Sequence, residues 1–244
     1  MQKKTFFLII LSFILILNLV SCSQKSQSMQ NPQNANPTAT SSQESKEESD
    51  GAAAIEPKPV RAEENQKSTL EMQVDSYKLE ENKRAVDLYE KGLKLYYDRK
   101  FTEALDLFNQ ALAIDPKNHQ ALNAKGATYA FQGRYDEGIS LIQTAIQIKP
   151  EFVYAHFNLG LAYELARNYD KSIEAYKEAL KLDEKDVWSY FGIASIYGRQ
   201  GNVEKVIEWL RPAIALDPEV KTVAREEKDF NPVKGDPRFL SLIK

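Results

Sequence analysis

One thiol and two imidazoles, at Cys22, His119 and His156, are all the cysteine and histidine chemistry in this chain of 244 residues. A single cysteine rules out a disulfide within the chain and a Cys-rich metal site. Two histidines leave little material for imidazole chemistry, and no HExxH, GxSxG or glycine-rich phosphate loop occurs. The many Asp and Glu stand beside Lys, as in Glu174, Lys177, Glu178 and Lys181, which is the spacing of a solvated helix face. A formal net charge of −3 gives no basic field for nucleic acid. The chain reads as no enzyme, with no cofactor and no metal.

The cysteine instead points to a modification. Residues 1–21 carry Lys3 and Lys4, then an apolar run from Phe6 to Val20, short for a membrane span and suited to a secretory signal. The run ends in Leu19-Val20-Ser21-Cys22. This resembles the lipobox of bacterial lipoproteins, and the resemblance implies that Cys22 is acylated, for instance with palmitate, and becomes the first mature residue. One acyl chain holds a protein only marginally and two hold it stably. An uncleaved anchor helix and a plain secretory signal are the other readings of the run. All three place the remainder outside the cytoplasm. Ser23, after the cysteine, resembles the outer-membrane default of that family where the cell has an outer membrane.

Residues 22–69 hold no aromatic residue after the cysteine and are dominated by Ser, Gln, Asn, Glu and Pro. They bury too little apolar surface to offset ordering entropy, so the expectation is a disordered tether of about 35–40 Å root-mean-square reach. Residues 70–84 are expected to form a flanking helix.

From there one phrase returns at a fixed interval. QALAIDP begins at 110, TAIQIKP at 144, EALKLDE at 178 and PAIALDP at 212, each 34 residues after the last. Segments starting at Ala85, His119, Val153 and Val187 align throughout. Position 8 is Gly92, Gly126, Gly160 and Ala194; position 24 is Phe108, Ile142, Tyr176 and Leu210; position 27 is Ala111, Ala145, Ala179 and Ala213. Small residues let two helices approach, and large ones fill the space between them. His156 falls at position 4, where a bulky core residue is normal, and His119 at a junction between segments. Gly133, Arg167-Asn168 and Gly201 mark turns. Pro116, Pro150 and Pro218 stop the second helices. Glu184 replaces that stop in the third segment, predicting a longer helix there. Pro212 lies inside the last one, predicting a kink or split near Arg211.

The 34-residue period and the small–large pattern resemble the tetratricopeptide repeat. The resemblance implies an all-α fold, a right-handed α-solenoid of four helical hairpins over residues 85–218. Residues 219–244 then act as a C-terminal cap, with Asp236-Pro237 starting a short last helix and Val220–Arg225, Phe239, Leu240 and Ile243 covering the terminal repeat.

Tetratricopeptide arrays line a concave groove with positions 2, 5, 9 and 12 of each first helix, and position 13 adds to it. Here the groove comes out aromatic and nearly uncharged, and the residues expected to carry partner binding are Tyr89, Tyr96, Asn123, Phe131, Tyr154, Phe157, Asn158, Trp188 and Phe191. Where some members of the family grip a terminal carboxylate, this chain has Tyr89, Leu93, Ala124 and Tyr154, with only Asn158 polar, so that mode is not expected. The implied partner is a peptide or helix of another protein, with aromatic side chains as anchors. Together these features read as a lipid-anchored adaptor or scaffold on the extracytoplasmic side of a cell-envelope membrane. The alternative is a structural subunit that self-associates through the array.

Overall fold

The computed structural model describes the backbone of residues 60–244 and the side chains from Ser76 onward. Cys22, the signal segment and most of the tether lie outside the described residues. Among the described residues ten α-helices follow in order: α1 Val60–Tyr97, α2 Phe101–Ile114, α3 His119–Phe131, α4 Tyr135–Ile148, α5 Val153–Leu165, α6 Tyr169–Leu182, α7 Val187–Arg199, α8 Val203–Leu216, α9 Val220–Glu226 and α10 Pro237–Ile243. A 3-10 turn, Lys228–Phe230, lies between the last two.

The hairpins are α1/α2, α3/α4, α5/α6 and α7/α8, and they stack in chain order as an α-solenoid. α1 starts at Val60 and runs without a break into the first repeat. The flanking helix expected at 70–84 is therefore part of α1, and the helix begins ten residues inside the segment assigned to the tether.

Small residues close each hairpin as the pattern implies. A β-carbon on Gly126 would lie 2.7 Å from the Gly138 carbonyl oxygen, and one on Gly92 would lie 2.7 Å from the Phe108 ring. Ala104, Ala111, Ala145, Ala179 and Ala213 are fully buried. Because each hairpin buries its apolar face only against its neighbours, the core is a chain of local clusters along the stack.

Two expectations about helix ends are corrected. α6 stops at Leu182, in step with its counterparts, despite Glu184. The stop is made by Asp183, which leaves the helix with extended backbone while its amide still bonds the Ala179 carbonyl. Its side chain then accepts the Lys185 amide at 2.9 Å. Asp115 and Asp217 make the same turn with Lys117 and Glu219, so aspartate ends the helix with or without proline. Nor does Pro212 split α8, which runs the same 14 residues as α2, α4 and α6. The carbonyl deprived of a partner belongs to Glu208, an exposed residue, while buried Val206, Leu210 and Ala213 hold the helix to the stack.

The end of the stack is closed by a truncated repeat. α9 begins at Val220, within one residue of where the 34-residue register places a fifth first helix, and it ends after seven residues. Val220, Val223, Phe230, Val233, Phe239 and Ile243 cover the apolar face of α7 and α8. Leu240, expected in that cover, is exposed instead. Asp236 caps α10 by accepting the Arg238 amide at 2.8 Å, with Pro237 in the first turn, as expected.

Candidate interaction surface

The first helices form a row: α1 touches α3, α3 touches α5 and α5 touches α7, whereas the second helices make no comparable row among the described residues. The more closely packed row is the inner side of the curve. Its N-terminal half presents aromatic side chains. Tyr96 packs with Tyr97, Phe101 and Phe131 at ring separations of 5.5, 5.9 and 6.0 Å, and Phe101 stacks on Phe131 at 6.3 Å. Tyr89 and Tyr96 are half-buried, as are Phe131 and Trp188. Tyr154 is 62% exposed. Burial, then the nearby Tyr97, Glu90 and Tyr154, pushes the Tyr89 phenol up to about 12. Burial raises Tyr97 as well, with Tyr154 adding to it. Three phenols from the first and third repeats thus lie within electrostatic range of one another.

Three expected groove residues are not accessible. Phe157 is 7% exposed, with its ring 5.7 Å from that of Tyr176. Phe191 is 4% exposed, packed on Trp188 and Phe230. From the second repeat onward, position 5 lies between the preceding hairpin and either the next hairpin or the cap. In the first repeat no hairpin precedes, so Tyr89 keeps an open edge. Asn123 is also buried, accepting a bond from the Asn158 amide at 3.1 Å. That pair ties α3 to α5, and Asn158 keeps part of its surface open.

The C-terminal half is charged, contrary to the expectation of a nearly uncharged groove. Arg199, at the end of α7, places Nη2 2.9 Å from Glu164 of α5 and Nε 2.6 Å from Asp229 of the cap. Tyr176 donates its hydroxyl to Glu164 at 2.8 Å, and Ser195 donates to Asp229 at 3.1 Å. Burial pushes the Glu164 carboxyl up, with Arg199 and Tyr176 opposing, and it pushes the Tyr176 phenol well up. Tyr97 and Arg199 were missed although they continue the register of Phe131 and Leu165 at position 13. Asp229 stands 34 residues after Ser195, beyond the last recognisable repeat, and only the turn of the cap brings it to the inner face.

These features define a helical-repeat interaction module with a groove that is aromatic at one end and sealed by an ionic network at the other. Models of the tetratricopeptide repeat match residues 89–151, 153–186 and 189–220, and the chain belongs to that family as a protein-interaction scaffold. Comparison with curated proteins finds no match. Among solved structures, MamA from Desulfovibrio magneticus RS-1, residues 41 to the end, is 22% identical at a TM-score of 0.49, covering 55% of this chain and 76% of that one. The first tetratricopeptide domain of Spaghetti (RPAP3), bound to an HSP90 peptide, is 20% identical at 0.45, covering 48% and 92%. The Arabidopsis OM64 domain is 16% identical at 0.46, covering 48% and 97%. Among the described residues, no cluster of His, Cys, Asp and Glu could hold a metal, and no helix is long and apolar enough to cross a membrane.

Proposed function

We propose that this protein is a non-enzymatic adaptor, anchored to a bacterial cell-envelope membrane through a lipid on Cys22 and facing the extracytoplasmic side. On this reading it binds an extended peptide or a helix of a protein partner in the N-terminal half of its groove. The observation that carries the binding site is the aromatic surface of half-buried Tyr89 and Tyr96 and of exposed Tyr154 on the inner row. Aromatic anchors of this kind dominate binding energy when a partner desolvates them. The aromatic side chains of that half favour an apolar partner segment. The anchor rests on the sequence before Cys22.

Crosslinking in envelope extracts with a photoreactive group at Tyr154 tests the site. The same group at exposed Glu178, on the second-helix side, is the control. A partner captured equally at both positions would refute the groove. Metabolic labelling with a fatty-acid probe tests the anchor, and incorporation that survives Cys22→Ala would refute it.

A second reading is self-association. It is favoured by the α1 extension, where residues 76–84 are all exposed, with Tyr77 at 73% and Leu79 at 57%. Light scattering of the protein distinguishes the two, since a mass that does not vary with concentration and equals one chain excludes self-association.

A further inference from the structure

Glu227 joins α9 to the 3-10 turn and is 1% exposed. Its Oε1 accepts the Asp229 backbone N–H at 3.1 Å, while Oε2 is buried with no hydrogen-bond partner. The charged groups acting on it are Asp229, two residues along the same segment, and Arg199 from α7. Arg199 is already engaged by Glu164 and Asp229, and the second oxygen of Asp229 is taken by Ser195. Two carboxyl groups thus engage the one guanidinium, and the third, which closes the cap turn, makes no ion pair with it and keeps one buried oxygen without a hydrogen-bond partner. A buried carboxylate in that position takes a proton rather than hold an unpaired charge.

We propose that Glu227 is a proton latch: its neutral carboxyl seats residues 219–244 on α7 and α8, and its ionisation loosens that segment from the end of the stack. The inference is independent of what the groove binds. Burial, and next the charge of Asp229, push the Glu227 carboxyl up to about 7. An undocked segment ionises near the ordinary glutamate value of 4.5. Between these values the docked form holds a proton that the undocked form has lost. Docking therefore weakens as pH rises through that window and levels off above it. Loosening withdraws Phe230 from Gly198, where a β-carbon would lie 2.6 Å from its ring, and takes Asp229 away from Arg199.

The test is amide hydrogen exchange of the full-length chain, read as protection of residues 220–243 after correction for intrinsic rates. Protection should be about tenfold or more lower at pH 8 than at pH 5, while α3 and α4 change less. Glu227→Gln keeps an oxygen for the Asp229 amide and cannot ionise, so its cap should be equally protected at both. Equal protection of the wild-type cap at both pH values overturns the proposal. So does a Glu227→Gln chain that loses as much protection as wild type, which would assign the effect to another buried carboxyl such as Glu164. Should that variant fail to fold, carbon-13 titration of Glu227 in the unaltered chain decides. A midpoint near 7 supports the latch, and one near 4.5 overturns it.

Discussion

The guanidinium of Arg199 reaches back one full repeat to Glu164, Nη2 to Oε1 at 2.9 Å. It turns the other way to Asp229 at 2.6 Å. One side chain thus fastens the third repeat and the cap to the fourth. Glu164 is buried, so removing the cation leaves its charge without compensation. Arg199→Ala should cost about 3 kcal/mol of stability near neutral pH. The cost should be smaller at pH 5, where protons can replace the lost cation on Glu164, whose carboxyl burial already raises. Urea denaturation at pH 5 and pH 8 checks this. An equal loss at both would show that Arg199 acts through packing, not charge.

Tyr176 is the matching keystone on the second-helix side. Its ring lies between two glycines: a β-carbon would sit 2.6 Å from it at Gly160 and also at Gly192. Gly160→Ala should cost about 1–3 kcal/mol through overpacking, and Gly160→Leu should prevent folding of the central repeats. Tyr176→Phe keeps the ring and deletes the bond to Glu164, costing about 1–2 kcal/mol. Thermal melts of these variants rank them. A Gly160→Ala chain as stable as wild type would mean that Tyr176 can move aside.

The groove prediction separates two aromatics three residues apart. Tyr154→Ala should change stability by no more than about 0.5 kcal/mol, because the side chain is 62% exposed. Its effect should fall on partner capture. Phe157→Ala should cost about 3–5 kcal/mol, because the ring fills the space against Tyr176. Melting and crosslinking on the same pair of variants check both halves. Full partner capture by Tyr154→Ala would move the site away from the N-terminal groove.

Much of this architecture is legible in the sequence because each repeat writes its packing rule in residue size. Gly160 and Tyr176 can be assigned to one contact from their positions alone, and the 34-residue register gives all four hairpins. What resists reading depends on neighbours that periodicity does not describe. Phe157 and Tyr89 share position 5, yet one is buried and the other open at its edge, because only Phe157 has a hairpin on each side. Glu164 looks like an isolated groove carboxylate until Arg199 and Asp229 arrive from later elements. Pro212 is tolerated because the bond it removes belongs to a residue on the exposed face, Glu208, which helical phase and packing decide together.

The last prediction concerns the turns inside the hairpins. Arg99, Gly133, Arg167 and Gly201 stand 34 residues apart, and all four have positive φ, at 62°, 81°, 61° and 71°. Their hydrogen bonds are alike. Gly133 donates to Ala130 at 3.1 Å, Arg167 to Glu164 at 2.9 Å and Gly201 to Gly198 at 2.9 Å, and in each case the following amide bonds the carbonyl five residues before it. The geometry is therefore set by the turn, and the two arginines hold it against the steric cost of a left-handed residue with a β-carbon. Arg167 is exposed. Arg167→Gly should accordingly stabilise the chain by about 0.5–1 kcal/mol, with no change in the groove. Arg99→Gly should gain less, because the Arg99 guanidinium lies over the Phe101 ring at 5.9 Å and that contact would be lost. Gly133→Val, which forces a branched side chain into the same conformation, should destabilise by more than either arginine replacement gains. Denaturant titration of the three variants gives the order. A destabilising Arg167→Gly would show that the arginine side chain contributes more to the hairpin than its backbone strain takes away.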